Sequence, residues 1–168
     1  MKSRKLSDTS TTLPKAPTFF LDRTFGGELL ATELRSWRWE VEVHRKWYGD
    51  KKRVEDNIWV EEIGQKNWRI ITADKDMEWR WHDSIVKANA GIFVVASLKE
   101  GENYTGWVRM LRPCRKRIVH DCHYAPRPFV ARISHEGHIY KVTQLLPHGM
   151  VRDVTHFVQN SAELYKCA

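Results

Sequence analysis

The chain has no long hydrophobic run. No apolar stretch in its 168 residues approaches the roughly 20 residues needed to span a bilayer, so we expect no membrane segment. The first residues are polar and basic, with no hydrophobic region behind them, which is not the pattern of a secretory signal peptide. From these absences and the length we predict one folded domain in a cytoplasmic protein.

Cysteine is scarce, and its spacing is uninformative. The three cysteines, Cys114, Cys122 and Cys167, are an odd number without CxxC spacing, which disfavours a disulfide framework or a zinc ribbon. Residues 120–123 read His-Asp-Cys-His. Zinc is disfavoured there because adjacent side chains cannot all turn toward one ion in regular structure.

Several catalytic motifs are also missing. The sequence has no GxSxG nucleophile motif, no Walker A loop and no GxGxxG loop, and the pair Gly26 and Gly27 does not by itself make a phosphate loop. These absences disfavour serine hydrolases, P-loop nucleotidases and dinucleotide-dependent enzymes.

Acidic residues are outnumbered by basic ones. The formal charge is +7 and the pI is about 9.4, a balance that attracts polyanions, although many basic proteins never bind nucleic acid. Eight tryptophans are present, several of them beside Arg or Lys, as at Trp37, Trp47 and Trp79. Such side chains can stack on unpaired bases, or they can simply form core.

Hydrophobic periodicity predicts alternating strands and helices. Strands are predicted at residues 19–22, 40–44, 69–72 and 92–96, with a basic loop at 45–53. Helices are predicted at residues 28–37, 55–65, 77–90 and 104–123, the last kinked or split by Pro113. A hairpin with its turn at Gly137 follows over residues 129–142. This order predicts an α/β fold with a mainly parallel sheet and helices on both faces.

The two ends of the chain differ from its middle. Residues 1–16 are basic and rich in Ser and Thr, which predicts a disordered leader. We place the folded domain at residues 17–142 and a tail at 143–168. The apolar side chains of this tail have helical spacing, so it should contain a short amphipathic helix that packs on its own domain or on a partner. They are Met150, Val151, Val154, Phe157 and Val158.

Acidic side chains follow two of the predicted strands. Asp22 ends the first strand, and Asp74 and Asp76 follow the third. Parallel strands share a carboxyl edge, where ligands of open α/β sheets bind. Carboxylates gathered there repel one another unless a cation lies among them, and hard oxygen ligands suit Mg²⁺ or Mn²⁺.

A third acid of this set is Asp56, at the start of the second predicted helix. Aspartate at such a position is more often a helix cap than a ligand, and Glu55 competes for the same role. Asp22 and Asp74 have a similar simpler interpretation as turn residues or caps, worth about 1 kcal/mol each. The sequence leaves both interpretations open, and a cap can also be a ligand.

The chemistry open to such a site is metal-assisted hydrolysis, and on a basic protein the natural substrate is a nucleic-acid phosphodiester. Lys75, between Asp74 and Asp76, would steer a phosphate or soften the repulsion between the acids. His44 and His82 could assist proton transfer, although a lone histidine is more often structural.

Three segments resemble the acidic motifs of PIN-like domains, in particular the nucleases related to VapC toxins of bacterial toxin–antitoxin pairs. They are residues 19–23 (Phe-Phe-Leu-Asp-Arg), 55–59 (Glu-Asp-Asn-Ile-Trp) and 71–76 (Ile-Thr-Ala-Asp-Lys-Asp). The likeness covers residues 18–142 and includes the predicted hairpin. It implies a Rossmann-like three-layer α/β/α fold with a central, mainly parallel sheet, and metal-dependent cleavage of RNA by an endonuclease.

The resemblance also implies residue roles and partners. The metal-binding and catalytic acids would be Asp22, Asp56, Asp74 and Asp76, holding Mg²⁺ or Mn²⁺. The phosphate backbone would contact Arg23, Lys75 and Arg80. A protein antitoxin would insert a segment into the pocket, and the tail helix could serve a homodimer contact.

The sequence departs from the family pattern in two ways. The region before the second motif is basic and Trp-rich, and the usual later acid is not evident, with Glu78 and Asp83 as its candidates. The alternative hypothesis is therefore a catalytically degenerate PIN-like module that binds RNA or supports assembly. A phosphatase or receiver-type domain, which also uses strand-end aspartates, is a third and less favoured interpretation.

Overall fold

A computed structural model describes residues 15–49 and 54–164, with the side chains of residues 160–164 left aside. The expected leader lies outside this range except for Lys15 and Ala16, and so do Cys167 and the end of the expected basic loop. Among the residues described, no helix is both long enough and apolar enough to cross a membrane.

The described part of the chain alternates strands and helices as expected. The strands are Phe19–Leu21 (β1), Val41–Val43 (β2), Arg69–Thr72 (β3), Gly91–Val95 (β4), Phe129–Ile133 (β5), Ile139–Leu145 (β6) and Val151–Asp153 (β7). The α-helices are Glu28–Ser36 (α1), His44–Tyr48 (α2), Asp56–Gln65 (α3), Met77–Arg80 (α4), His82–Lys87 (α5), Tyr104–Tyr124 (α6) and Thr155–Leu164 (α7). A short 3-10 helix, Arg23–Phe25, follows β1.

The strands form one sheet in the order β2-β1-β3-β4-β5-β6-β7. The first five strands are parallel to their neighbours, and β6 and β7 add antiparallel to the edge at β5. The prediction of an α/β fold with a mainly parallel sheet and a final hairpin is confirmed. The chain passes from β1 to β2 on one side of β1 and then crosses to β3 on the other side, so the order in which strands are added to the sheet reverses at β1.

Two apolar layers cover the sheet, one on each face. Phe19 and Leu21 of β1 pack in the layer under α1, α6 and α7, whereas Phe20 between them packs in the layer under α3 and α5. All three side chains are fully buried. The central strands can be apolar throughout because both of their faces are covered, which completes the three-layer arrangement.

Two predictions need correction, at residues 77–90 and 44–48, and the prediction for Pro113 becomes narrower. Residues 77–90 form two short helices, because the backbone at Trp81 leaves helical geometry (φ −121°, ψ 22°). Residues 44–48 form α2 instead of the predicted strand end at His44 and the start of the predicted loop at residues 45–53. The helix α6 continues through Pro113, so the predicted split is absent, and buried residues on both sides of the proline, including Met110 and Ile118, belong to one core layer.

The tail also differs from its prediction. Met150 and Val151 are not helical: Val151 pairs with Leu145 of β6, across a turn in which His148 and Gly149 have positive φ (63° and 73°). The helix begins only at Thr155. Helical spacing in this stretch was therefore misleading, because strand pairing with β6 outweighs it. The sheet continues beyond residue 142.

Candidate active site

The carboxyl ends of β1 and β3 lie side by side at the point where the strand order reverses. Leu21 is opposite Ile71 in the parallel register, and the Asp22 N–H donates to the Ile71 carbonyl at 3.1 Å. Ligands of open α/β sheets bind in the crevice outside such a switch point. The acids predicted from the sequence therefore belong to the edge where this fold places a site.

Asp22 is buried, with 5% of its surface exposed. Its carboxylate accepts hydrogen bonds from the Arg23 N–H (2.5 Å), the Thr24 hydroxyl (3.1 Å) and the Thr72 hydroxyl (2.9 Å). The same Thr72 hydroxyl accepts from the Asp74 N–H at 3.0 Å. Asp22 is thus both the cap of the 3-10 helix and a rigidly held carboxylate tied to the end of β3.

The electrostatic environment of Asp22 disfavours its charge. Burial raises the pKa of its carboxyl, the hydrogen bonds from Thr72, Arg23 and Thr24 oppose this, and the nearby negative charge of Asp56 adds to the increase. A carboxylate that is costly to ionise and lies beside another acid is an arrangement typical of functional sites.

Asp56 is the first residue of α3, and its carboxylate faces Arg23. The Arg23 guanidinium donates to both oxygens at 3.0 and 3.2 Å, and the Trp59 indole N–H donates at 2.9 Å. Glu55, the competing candidate, is exposed and makes no side-chain capping bond. Asp56, not Glu55, is therefore the acid that α3 brings to this edge.

Asp74 lies two residues beyond β3 and is bound by Arg80. One guanidinium nitrogen of Arg80 donates to both carboxylate oxygens, at 2.8 and 2.6 Å, and the Asp76 N–H donates to one of them at 3.0 Å. Asp76 and Lys75 are exposed, and the Asp76 side chain does not cap α4. We call Asp22, Asp56 and Asp74, which follow β1, begin α3 and follow β3, the acidic cluster, and Asp76 and Lys75 are exposed next to Asp74 in the chain.

Of the two candidates for the later acid, Glu78 is buried and Asp83 is not. Glu78 of α4 is 4% exposed, and its carboxylate accepts from the Arg132 guanidinium of β5 at 2.7 Å. A buried carboxylate needs such a partner, so this pair joins α4 to the sheet. Asp83, the other candidate for the later acid, has a side chain that is 99% exposed. Periodicity could not identify Glu78, because its partner is 54 residues away.

The two histidines lie in different places. His44 directly follows β2 on the same carboxyl edge, is buried, and has an Nε2 atom without a hydrogen-bond partner among the described residues. Burial and the charge of Arg23 lower its pKa, although the charges of Asp22 and Asp56 oppose this, and the net effect favours the neutral ring. His82 Nε2 lies 3.3 Å from the Met150 carbonyl, next to the turn between β6 and β7.

The donor chemistry of this edge fits Mg²⁺ or Mn²⁺, since Asp22, Asp56 and Asp74 are carboxylates supplied by three separate elements. In this structure, however, two of the three carboxylates are occupied by ion pairs with arginine. Arg23 and Arg80 bind two of the acids, and within residues 15–49 and 54–164 no group of three His, Cys, Asp or Glu side chains is placed so that it could hold a metal. The acids would have to leave their arginines to share an ion.

Comparison with known proteins gives one result at the family level. Residues 17–97 match the family model described as a PIN-like domain, which supports a PIN-like domain in this part of the chain. The matched segment covers slightly less than half of the sequence, and it contains β1 to β4 and all the acids of the cluster. PIN-like domains are in general nucleases. No curated protein and no solved structure matches the chain.

Proposed function

We propose that the protein is a PIN-like endoribonuclease that uses Mg²⁺ or Mn²⁺. The observation that carries the proposal is that three separate elements bring Asp22, Asp56 and Asp74 to the carboxyl edge of the sheet at its switch point. The formal charge of +7 favours a polyanionic substrate, and the PIN-like match favours nuclease chemistry over the phosphatase alternative.

In this proposal Asp22, Asp56 and Asp74 would hold the ion, with Asp76, next to Asp74 in the chain, also contributing. The bound ion would activate water and stabilise negative charge on the phosphate. The contribution of the protein is rigidity: three hydrogen bonds orient the Asp22 carboxylate, and the Thr72 hydroxyl couples it to the backbone of Asp74.

Arg23 and Arg80 would exchange partners when RNA binds. The two arginine side chains are 50% and 52% exposed, whereas the carboxylates of Asp56 and Asp74 are only 13% and 19% exposed. A bound ion would take the place of the arginines at these carboxylates, and the freed guanidinium groups can hold phosphate oxygens in bidentate fashion. Lys75, exposed beside them, would add a further phosphate contact. This exchange opens the acids at the moment when the substrate arrives.

The test is cleavage of a structured RNA by the purified protein with Mg²⁺, with Mn²⁺ and with EDTA. We expect discrete fragments in both metals, none in EDTA, and loss of cleavage in Asp22→Asn, Asp56→Asn and Asp74→Asn. Glu55→Gln is the matched control, since it removes an exposed acid beside Asp56 and should remain active. Equal cleavage by Asp22→Asn, or cleavage in EDTA, would refute the assignment.

A second candidate function is a catalytically degenerate RNA-binding module. Two ion pairs favour it, since Arg23 binds Asp56 and Arg80 binds Asp74, and both pairs would then be structural. In that case RNA binds equally well in EDTA and in metal, and it stays intact in every condition. Metal-dependent cleavage that requires Asp22 would rule this alternative out.

We further propose that the nuclease is the toxin of a toxin–antitoxin pair, on the basis of the motif resemblance to VapC-related nucleases. A protein antitoxin would then occupy the acidic edge. Induced expression should arrest bacterial growth, and expression of Asp22→Asn should not.

The tail helix α7, with Phe157 62% exposed, is the surface we propose for a homodimer. The molar mass by light scattering, with Phe157→Ser as the variant, tests that contact.

A further inference from the structure

The one-turn helix α4 has a buried side and an exposed side. Met77 and Glu78 are 1% and 4% exposed, and the Glu78–Arg132 ion pair at 2.7 Å ties the helix to β5. On the other side, Trp79 is 67% exposed. Tryptophan side chains are highly buried on average, and the exposed indole of Trp79 presents an aromatic surface to solvent on a helix that the ion pair anchors.

Trp79 borders a cavity of about 380 Å³. The other walls include Arg80, Trp81, His82, Ser84 and His148. This volume lies within the range of pockets that hold small organic ligands, about 300–1,000 Å³. The lining combines an aromatic face with hydroxyl, imidazole and guanidinium groups, which can hydrogen-bond the edge of a planar heterocycle, and with the carboxylate of Asp83, which can accept from the amino group of a base.

The cavity adjoins the acidic cluster through a single side chain. Arg80 lines the cavity and also donates to both oxygens of Asp74, at 2.8 and 2.6 Å. A nucleotide whose base lies in the cavity would therefore have its phosphate near Arg80, next to the carboxylates that would perform the cleavage.

We propose that Trp79 and this cavity form a subsite for one unpaired base of single-stranded RNA, next to the phosphodiester that is cut. The proposal rests on the proposed ribonuclease function and adds to it a binding site for an unpaired base of the substrate. Single-stranded RNA is favoured over duplex because a base must leave its own stack before it can lie on an indole face. Stacking of this kind tolerates any base, so the subsite selects strandedness rather than sequence.

The experiment measures binding of a fluorescein-labelled single-stranded RNA of eight nucleotides by anisotropy in EDTA, where cleavage does not interfere. We expect Trp79→Ala to weaken binding about 5- to 150-fold, the range that loss of one base–aromatic stack produces. Trp79→Phe should restore most of the affinity. A ribose-phosphate oligomer of equal length without bases should bind wild type and Trp79→Ala alike.

Trp47→Ala is the matched control. Trp47 is 40% exposed, but it packs against Trp68 at 5.3 Å and under Lys66, and Trp68 directly precedes β3 at the opposite edge of the sheet. Its loss should leave RNA affinity unchanged. Trp79→Ala should keep the wild-type melting temperature to within a few degrees because its side chain is 67% exposed, whereas Trp47→Ala removes packing on Trp68 and should lower the melting temperature more.

The outcomes separate the subsite from the ribonuclease function. Unchanged binding by Trp79→Ala, alongside cleavage that depends on Asp22, would overturn the subsite and leave the nuclease in place. Weakened binding by Trp79→Ala without cleavage in Mg²⁺ or Mn²⁺ would support the subsite on a non-catalytic module. If wild type fails to bind the single strand, or prefers a duplex of the same sequence, the subsite is wrong.

Discussion

Replacing Asp22 by Asn should make the protein more stable while abolishing cleavage. Burial and the negative charge of Asp56 raise the pKa of the Asp22 carboxyl, so its ionised form is costly in the folded state at pH 7. Asn has the same shape and no charge. The hydroxyls of Thr24 and Thr72 donate to Asp22 and can rotate to accept from the new amide, so the local hydrogen bonds survive.

At pH 7 the melting temperature of the variant should therefore lie above that of wild type. For a chain of this size, each 1 kcal/mol of gain would appear as about 2–4 °C in melting temperature. The effect should depend on pH with a definite sign. Because the pKa of Asp22 is raised in the folded state, the native state holds its proton more tightly than the unfolded chain does. The stability of wild type therefore falls as pH rises from the pKa of Asp22 in the unfolded chain to its higher pKa in the folded state. The difference between variant and wild type should vanish at low pH.

The assay is thermal unfolding by circular dichroism from pH 3 to pH 8, with Asp153→Asn as the control of opposite sign. Hydrogen bonds from Thr155 lower the pKa of Asp153, so its replacement should reduce stability at pH 7 and lose its effect in acid. A melting temperature of Asp22→Asn below wild type at pH 7, or a gain independent of pH, would refute the electrostatic account.

Three further predictions concern the framework of the site. Arg132→Met should destabilise the protein by about 3–5 kcal/mol in urea unfolding, because it leaves buried Glu78 without its partner, and adding Glu78→Met should recover most of the loss. Gly64→Ala should cost about 1–3 kcal/mol despite its better helix propensity, since the new methyl group would lie 2.5 Å from the Cβ of Ala88; unchanged stability would contradict this packing. The imidazole of His44 should titrate by NMR below the 6.5 of a free histidine, and a midpoint at or above 6.5 would contradict its burial.

Local pattern was sufficient for most of the fold. β3 begins and ends where the apolar run predicts, and the acids at the ends of β1 and β3 meet at one edge because parallel strands in register require it. The breaks were harder to predict. The interruption at Trp81 and the strand β7 depend on contacts with distant segments, such as the pairing of Val151 with Leu145, which periodicity within a window does not contain.

The sequence by itself determined the α/β class, the mainly parallel sheet and which carboxylates share its carboxyl edge, since these follow from hydrophobic period and strand direction. Only the tertiary structure decided the electrostatic state of that edge. Asp56 meets Arg23 across 33 residues, and Glu78 meets Arg132 across 54. The cavity beside Trp79 joins α4 and α5 to the turn before β7. Side chains so far apart in the sequence become neighbours only when the layers pack, because the local signals specify elements and not their partners.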